Sequence, residues 1–180
     1  MNGQPVHITP FQDVKSDGSR PAFKLYDEPT EYFAAMLDDI RHARQYIYLE
    51  IYKYYGDEIG DQFRDALVKR AKAGVEVKLL IDSWGAAVSY SYFADLIKYG
   101  GEVRFFTKIK FFVDFFTKNH RRNHRKILII DDQITYVGSG NITGYSLTWR
   151  EMMLRMEGDL ALSFKKVFYL DFMLYNRYIF

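Results

Sequence analysis

Two rhythms of apolar and polar positions alternate along the chain. FKLYD (23–27) reads as a short strand. Phe33, Met36, Leu37 and Ile40 then recur at i, i+3, i+4 and i+7, the spacing of one helical face. Pro29-Thr30 marks the start of that helix, with Thr30 the candidate N-cap. YIYLEIYKYY (46–55) is rich in aromatic and β-branched residues and predicts a strand. Ile59, Phe63, Leu67 and Ala71 form the apolar stripe of a second helix, which Gly74 is placed to stop. VEVKLLID (75–82) and EVRFF (102–106) predict strands on either side of a short helix over 90–100. KILIID (126–131) and ITYVGS (134–139) predict adjacent strands joined by a tight turn. EMMLRME (151–157) fits a further strand, and a last helix is expected from Asp159 to about Tyr178. Strands that alternate with helices and are apolar throughout imply an α/β sandwich with a buried sheet.

The ends of the chain depart from this pattern. Residues 1–22 hold Pro5, Pro10, Pro21 and an SDGS cluster, so they read as an irregular lead-in to a single domain over 23–180. The last helix carries a stripe of Phe164, Val167, Phe168, Phe172, Tyr175 and Ile179. Tyr169, Leu170, Met173, Leu174 and Tyr178 add apolar surface beyond it. A helix apolar nearly all round is buried on several sides. It is therefore either a central core helix or one whose outer surface meets a second lobe, a second subunit or a membrane.

Composition narrows the classes. The 180 residues suffice for one domain with a proper core, or for half of a two-lobed protein. The absence of cysteine excludes disulfides, thiolate metal sites and a cysteine nucleophile. No apolar leader precedes 23, and no uninterrupted apolar run reaches the ~18 residues of a spanning helix. The formal charge of +2 does not by itself call for nucleic acid, so a local basic cluster matters more than the total.

That cluster is NHRRNHRKILIIDDQITYVGSGN (119–141), which sets four Arg/Lys and two His in front of a buried-looking strand. His124 and Lys126 are two apart, so on an extended strand they face the same side. Asp131 ends the same run, and Gly138, Ser139, Gly140 and Asn141 close the next strand. If the two strands are neighbours, an imidazole, an ammonium and a carboxamide converge. Such a group balances negative charge, hydrogen-bonds phosphate oxygens and offers a nitrogen for attack or proton transfer. His124 alone would be an ordinary surface histidine, and Asn141 alone a turn residue.

The pattern His-x-Lys-x-x-x-x-Asp followed by Gly-Ser-x-Asn resembles the signature of the phospholipase D superfamily. KNHRRNHRK, VGSGNITGYSLTWRE and EVKLLIDSWG resemble the first half of bacterial cardiolipin synthases over roughly 23–175. The resemblance implies a phospholipase D-like α/β/α sandwich with a buried mixed sheet, one lobe of a two-lobed protein. It also implies phosphatidyl transfer on phosphatidylglycerol through a phosphohistidine, with neither metal nor cofactor. Lys126 and Asn141 would hold the non-bridging oxygens, with Ser139 and Gly138 lining the substrate. Glu151 would orient the histidine, and Asp131 would support the geometry.

The chain holds one copy of the motif, because His7, His42 and His120 are not followed two residues later by lysine. A second histidine must then come from a second lobe or a homodimer partner, and either histidine could be nucleophile or acid. The expected setting is the surface of a bacterial cytoplasmic membrane. The alternatives are a phospholipase D or nuclease-like phosphodiesterase using water, and a non-catalytic lobe or fragment. The compactness of the basic cluster counts against nucleic acid. Three features stay open. His120, Arg121 and Arg122 are a solvated loop or a headgroup contact. The four phenylalanines of 110–118 pack a core or dip into lipid. DSWG (82–85) ends a strand where ligands often sit.

Overall fold

The computed structural model describes residues 22–106 and 122–174. The lead-in up to Pro21, the phenylalanine-rich stretch 110–118, His120, Arg121 and the expected continuation of the last helix beyond Leu174 lie outside the described residues.

The order of elements is β1 (Phe23–Tyr26), α1 (Pro29–His42), β2 (Tyr46–Ile51), α2 (Glu58–Lys72), β3 (Glu76–Asp82), α3 (Ala94–Lys98), β4 (Glu102–Phe106), β5 (Ile127–Ile130), β6 (Ile134–Gly138), β7 (Met153–Glu157) and α4 (Leu160–Leu174). One sheet takes all the strands in the order β1-β7-β6-β5-β2-β3-β4. The pairs β2–β3 and β3–β4 are parallel and the other pairs antiparallel, so the sheet is mixed as expected.

Strand alternation divides the interior in two. On β2, Ile47, Leu49 and Ile51 join the large core under α1, α2 and α3, with Phe33, Ile40, Phe63 and Leu67 from the helices. Tyr46 and Tyr48 point the other way, onto a smaller core with Phe168 and Phe172 of α4. Truncating a ring such as Phe63 to alanine would cost about 3–5 kcal/mol. The outer side of α4 stays uncovered, with Leu170, Met173 and Leu174 each more than 60% exposed, so α4 is a flanking helix and not a central one.

Two expected boundaries move. The N-cap of α1 is Glu28, not Thr30. Proline takes the first helical position because its fixed φ suits it and its missing N–H needs no partner there. β2 stops at Ile51 instead of continuing to Tyr55. The chain turns out of the sheet there because Tyr54 is buried and its hydroxyl donates to the Gly60 carbonyl at 2.7 Å.

The topology gathers several chain ends on one edge. β2 and β3 finish there, β5 starts there, β6 finishes there and β7 starts there. Asp57 caps α2 at the same edge, accepting the N–H groups of Gly60 at 3.0 Å and Gly144 at 2.7 Å. Open α/β sheets place ligands at such carboxyl edges.

Candidate active site

His124 and Lys126 lie just before β5. The ammonium of Lys126 is 3.0 Å from His124 Nδ1 and donates to the His124 carbonyl at 2.7 Å. His124 is exposed, while Lys126 is only 3% exposed. The Tyr52 ring backs both, with its centroid 4.5 Å from the imidazole and 5.1 Å from the ammonium. Burial pushes Lys126 down to about 8; the charge of Lys53 adds to this, and Glu151 and Asp82 oppose it. His124 is also held below the ordinary histidine value, first by loss of solvent, then by the charges of Lys126 and Lys53. The imidazole is therefore neutral at pH 7 beside a cation, the combination an attacking nitrogen needs.

Buried carboxylates fix the loop that carries the histidine. Asp82, at the end of β3, accepts the Asn123 N–H at 2.7 Å and those of Trp84 and Gly85 at 2.9 and 3.0 Å. Glu50 on β2 is fully buried and accepts the Asn123 side-chain amide. Arg125 Nε reaches Glu50 at 3.0 Å, and its other end pairs with Asp171 of α4. Desolvation pushes the Glu50 carboxyl up, against the pull of Asn123 and Arg125. The residues on both sides of His124 are thus tied down while its ring stays open.

Asn141 stands on the neighbouring chain end. The register Ile127↔Val137 sets Lys126 across from Gly138, three residues before Asn141. Asn141 Oδ1 accepts the Lys53 N–H at 3.1 Å, and Ile142 N–H donates to the Lys53 carbonyl at 3.1 Å. These bonds join the glycine-rich turn to the end of β2. Glycine is required at two points of the turn. A Cβ on Gly138 would stand 2.1 Å from the Met152 carbonyl, and one on Gly140 would meet the Tyr32 ring at 2.9 Å. Ser139 packs against the approach to β7, donating its N–H to Met152 O at 2.9 Å and accepting Met152 N–H on Oγ at 3.0 Å. In this arrangement Gly138 and Ser139 serve the turn itself.

Two expected site residues stand elsewhere. Glu151 does not bond to the imidazole. Its Oε2 accepts the Tyr32 hydroxyl and the Asn141 N–H, both at 3.3 Å, and its charge supports the protonated form of Lys126. It positions the asparagine turn and balances the lysine. Asp131 is at the far end of β5 from His124. There its carboxylate accepts the N–H groups of Arg44, Gln45 and Tyr46 at 2.6, 2.7 and 2.9 Å. Asp131 and Asp132 both have positive φ in a tight turn closed by Gln133 N–H to Ile130 O at 3.1 Å. Asp131 is a structural clasp at the end of β5 remote from His124 and Lys126. Among the described residues, no cluster of His, Asp and Glu suits a metal ion.

A family model described as "Cardiolipin synthase, PLD-like domain" matches residues 36–169. The chain belongs to this phospholipase D-like family. Over 147 residues it is 36% identical to the major cardiolipin synthase ClsA of Bacillus subtilis (strain 168), a match covering 77% of this chain and 30% of that protein. The chain thus spans about a third of the length of the curated relatives it matches. Two solved structures share the fold. NucT from Helicobacter pylori superposes with a TM-score of 0.72 at 19% identity, over 88% of this chain and 100% of that one. Nuc, a phospholipase D family member from Salmonella typhimurium, gives 0.69 at 22% identity, over 88% and 99%.

The phospholipase D-like domain also uses residues that sequence reasoning passed over. Glu50 and Asn123 hold the histidine loop, Tyr52 forms its wall, and Lys53 adds a further cation. One signal was available: Glu50 is a lone acid inside the apolar strand YLEIY, and a buried carboxylate needs a specific partner. DSWG, noted for its position, supplies the Asp82 anchor. No described helix is long and apolar enough to cross a membrane.

Proposed function

We propose that this domain supplies one histidine, one lysine and one asparagine to the active site of a phosphatidyl transferase of the cardiolipin synthase type. The observation that carries the reading is the open His124 ring in contact with the buried ammonium of Lys126, inside a domain of the cardiolipin synthase family.

In the proposed reaction Nε2 of His124, the ring nitrogen turned away from Lys126, attacks the phosphorus of phosphatidylglycerol. A P–N bond forms and the P–O bond to glycerol breaks. A second histidine, from a second lobe or a second copy of this chain, gives the departing glycerol its proton. That histidine then takes the proton from the hydroxyl of another phosphatidylglycerol. This oxygen attacks phosphorus, the P–N bond breaks and cardiolipin leaves. Attack requires the His124 proton to sit on Nδ1, so the Lys126 ammonium moves from Nδ1 to the phosphate oxygens when substrate arrives. Lys126 and the Asn141 amide stabilise the charge that grows on those oxygens.

The setting suits a lipid. Tyr145, Leu147, Trp149 and Met152 flank Glu151 and are all exposed, forming an apolar rim beside the site. The bare outer side of α4 offers a surface to a second lobe or partner.

Labelled phosphatidylglycerol tests the reading. The assembled enzyme should yield cardiolipin and glycerol. Phosphatidic acid as the main product would replace transfer with hydrolysis, and no product would overturn both.

A further inference from the structure

The site holds more positive charge than one phosphodiester requires, and its excess is ordered around a single side chain. Tyr52 leaves the end of β2 with Lys126 and His124 against its ring. Lys53 Nζ lies 6.0 Å from the same ring centroid. At the opposite end of the ring, the Tyr52 hydroxyl accepts from Arg122 Nη1 at 3.3 Å. Arg122 in turn lies over the Trp84 ring, 5.1 Å from its centroid. Both Arg122 and Trp84 are exposed.

These two cations differ from four arginines of the domain that are tied into ion pairs. Arg64, Arg104, Arg125 and Arg155 each pair with a carboxylate. Among the described residues, Lys53 and Arg122 have no ion-pair partner. Trp84 supports the guanidinium, and the N–H groups not given to Tyr52 remain for the oxygens of a phosphate. Two unpaired cations beside a site that already has its own lysine indicate a second anion.

The transfer reaction provides one, so this inference rests on the function proposed above. Donor and acceptor both carry a phosphodiester. The acceptor hydroxyl and the acceptor phosphate sit at opposite ends of one glycerol. When that hydroxyl meets phosphorus on His124, the second phosphate must lie one three-carbon bridge away. Arg122 marks a place for it, bonded to the hydroxyl end of the tyrosine whose ring backs His124.

We propose that Arg122, mounted on Trp84 and assisted by Lys53, binds the phosphodiester of the acceptor lipid and so selects an anionic acceptor over a neutral alcohol or water.

A competition assay tests this. The assembled enzyme receives labelled phosphatidylglycerol vesicles as donor and acceptor, with 1-butanol as a neutral acceptor in the same mixture. Transfer to butanol reports the donor half-reaction, the fold and vesicle binding; transfer to phosphatidylglycerol also needs the second phosphate seat. Arg122→Ala should lower the ratio of cardiolipin to phosphatidylbutanol about tenfold, the effect of one charge-assisted hydrogen-bonded contact. Arg122→Lys should restore part of the ratio, and Lys53→Met should lower it less than Arg122→Ala. Equal falls in both products, or an unchanged ratio, would overturn the acceptor site while leaving the phosphatidyl transferase reading in place. A wild-type enzyme that transfers to neither acceptor would overturn that reading as well.

Discussion

The two ends of β5 both carry charge, and they use it in opposite ways. At one end the Asp131 carboxylate is saturated by three backbone N–H groups from the start of β2. At the other end Lys126 is nearly buried, yet among the described residues its hydrogen-bond partners are the carbonyl and ring of His124, and the ring itself is open. A charge whose partners are all backbone donors within the fold holds the fold together. A desolvated charge that no carboxylate bonds directly, beside an open imidazole, is free to receive an anion. One short motif therefore joins a structural clasp to an open imidazole–ammonium pair across a four-residue strand.

That contrast can be broken by substitution. His124→Ala should abolish product formation, a fall of roughly a thousandfold or more, with little change in melting temperature. Asn123→Ala, which frees the histidine loop from Glu50, should lower kcat about 10- to 100-fold and leave KM nearly unchanged, by analogy with the loss of orienting partners elsewhere. Asp131→Ala should do the reverse. It strands three N–H groups at the start of β2 and should cost about 2–4 kcal/mol in denaturant unfolding, with near-normal activity per folded molecule. An Asp131→Ala enzyme that is stable but inactive would erase the distinction between the two ends.

The pH profile sharpens the same contrast. Lys126 must be protonated to hold phosphate oxygens, and its value is lowered to about 8. The alkaline limb of kcat/KM should therefore fall near pH 8 and move upward in Lys126→Arg. The acid limb should lie below the ordinary histidine range, because His124 is shifted down and must be neutral to attack. The smallest effect is expected from Ser139→Ala, within about threefold in rate, since Ser139 Oγ accepts a bond from the approach to β7.

Much of the fold was legible in the sequence because the strands announce themselves. ILII, LLI and YIYLEI are buried runs bounded by polar turns, and the helical stripes at 33–40 and 59–71 keep one face. His124 and Lys126 were legible for the same reason: a spacing of two on an extended chain puts side chains on one side. Asp131 could be read as part of the motif but not as remote from it, since spacing along a strand does not say which end faces the ligand. Glu151 was harder. Nine residues separate it from Asn141, and only the folded turn shows that its carboxylate meets Tyr32 and the Asn141 N–H instead of the imidazole. Asn123 and Tyr52 carry no spacing signal, because their partners come from other strands.

The central claim is that His124, Lys126 and Asn141 form one anion site. Titration of the histidine-labelled chain with inorganic phosphate, followed by imidazole NMR, addresses it directly. His7 and His42 serve as internal references. The account predicts that phosphate shifts the His124 signals and raises its pKa, that Asn141→Ala weakens the response, and that Asp131→Asn leaves it intact. His124 signals that do not move with phosphate, or that move equally in Asn141→Ala, would contradict it.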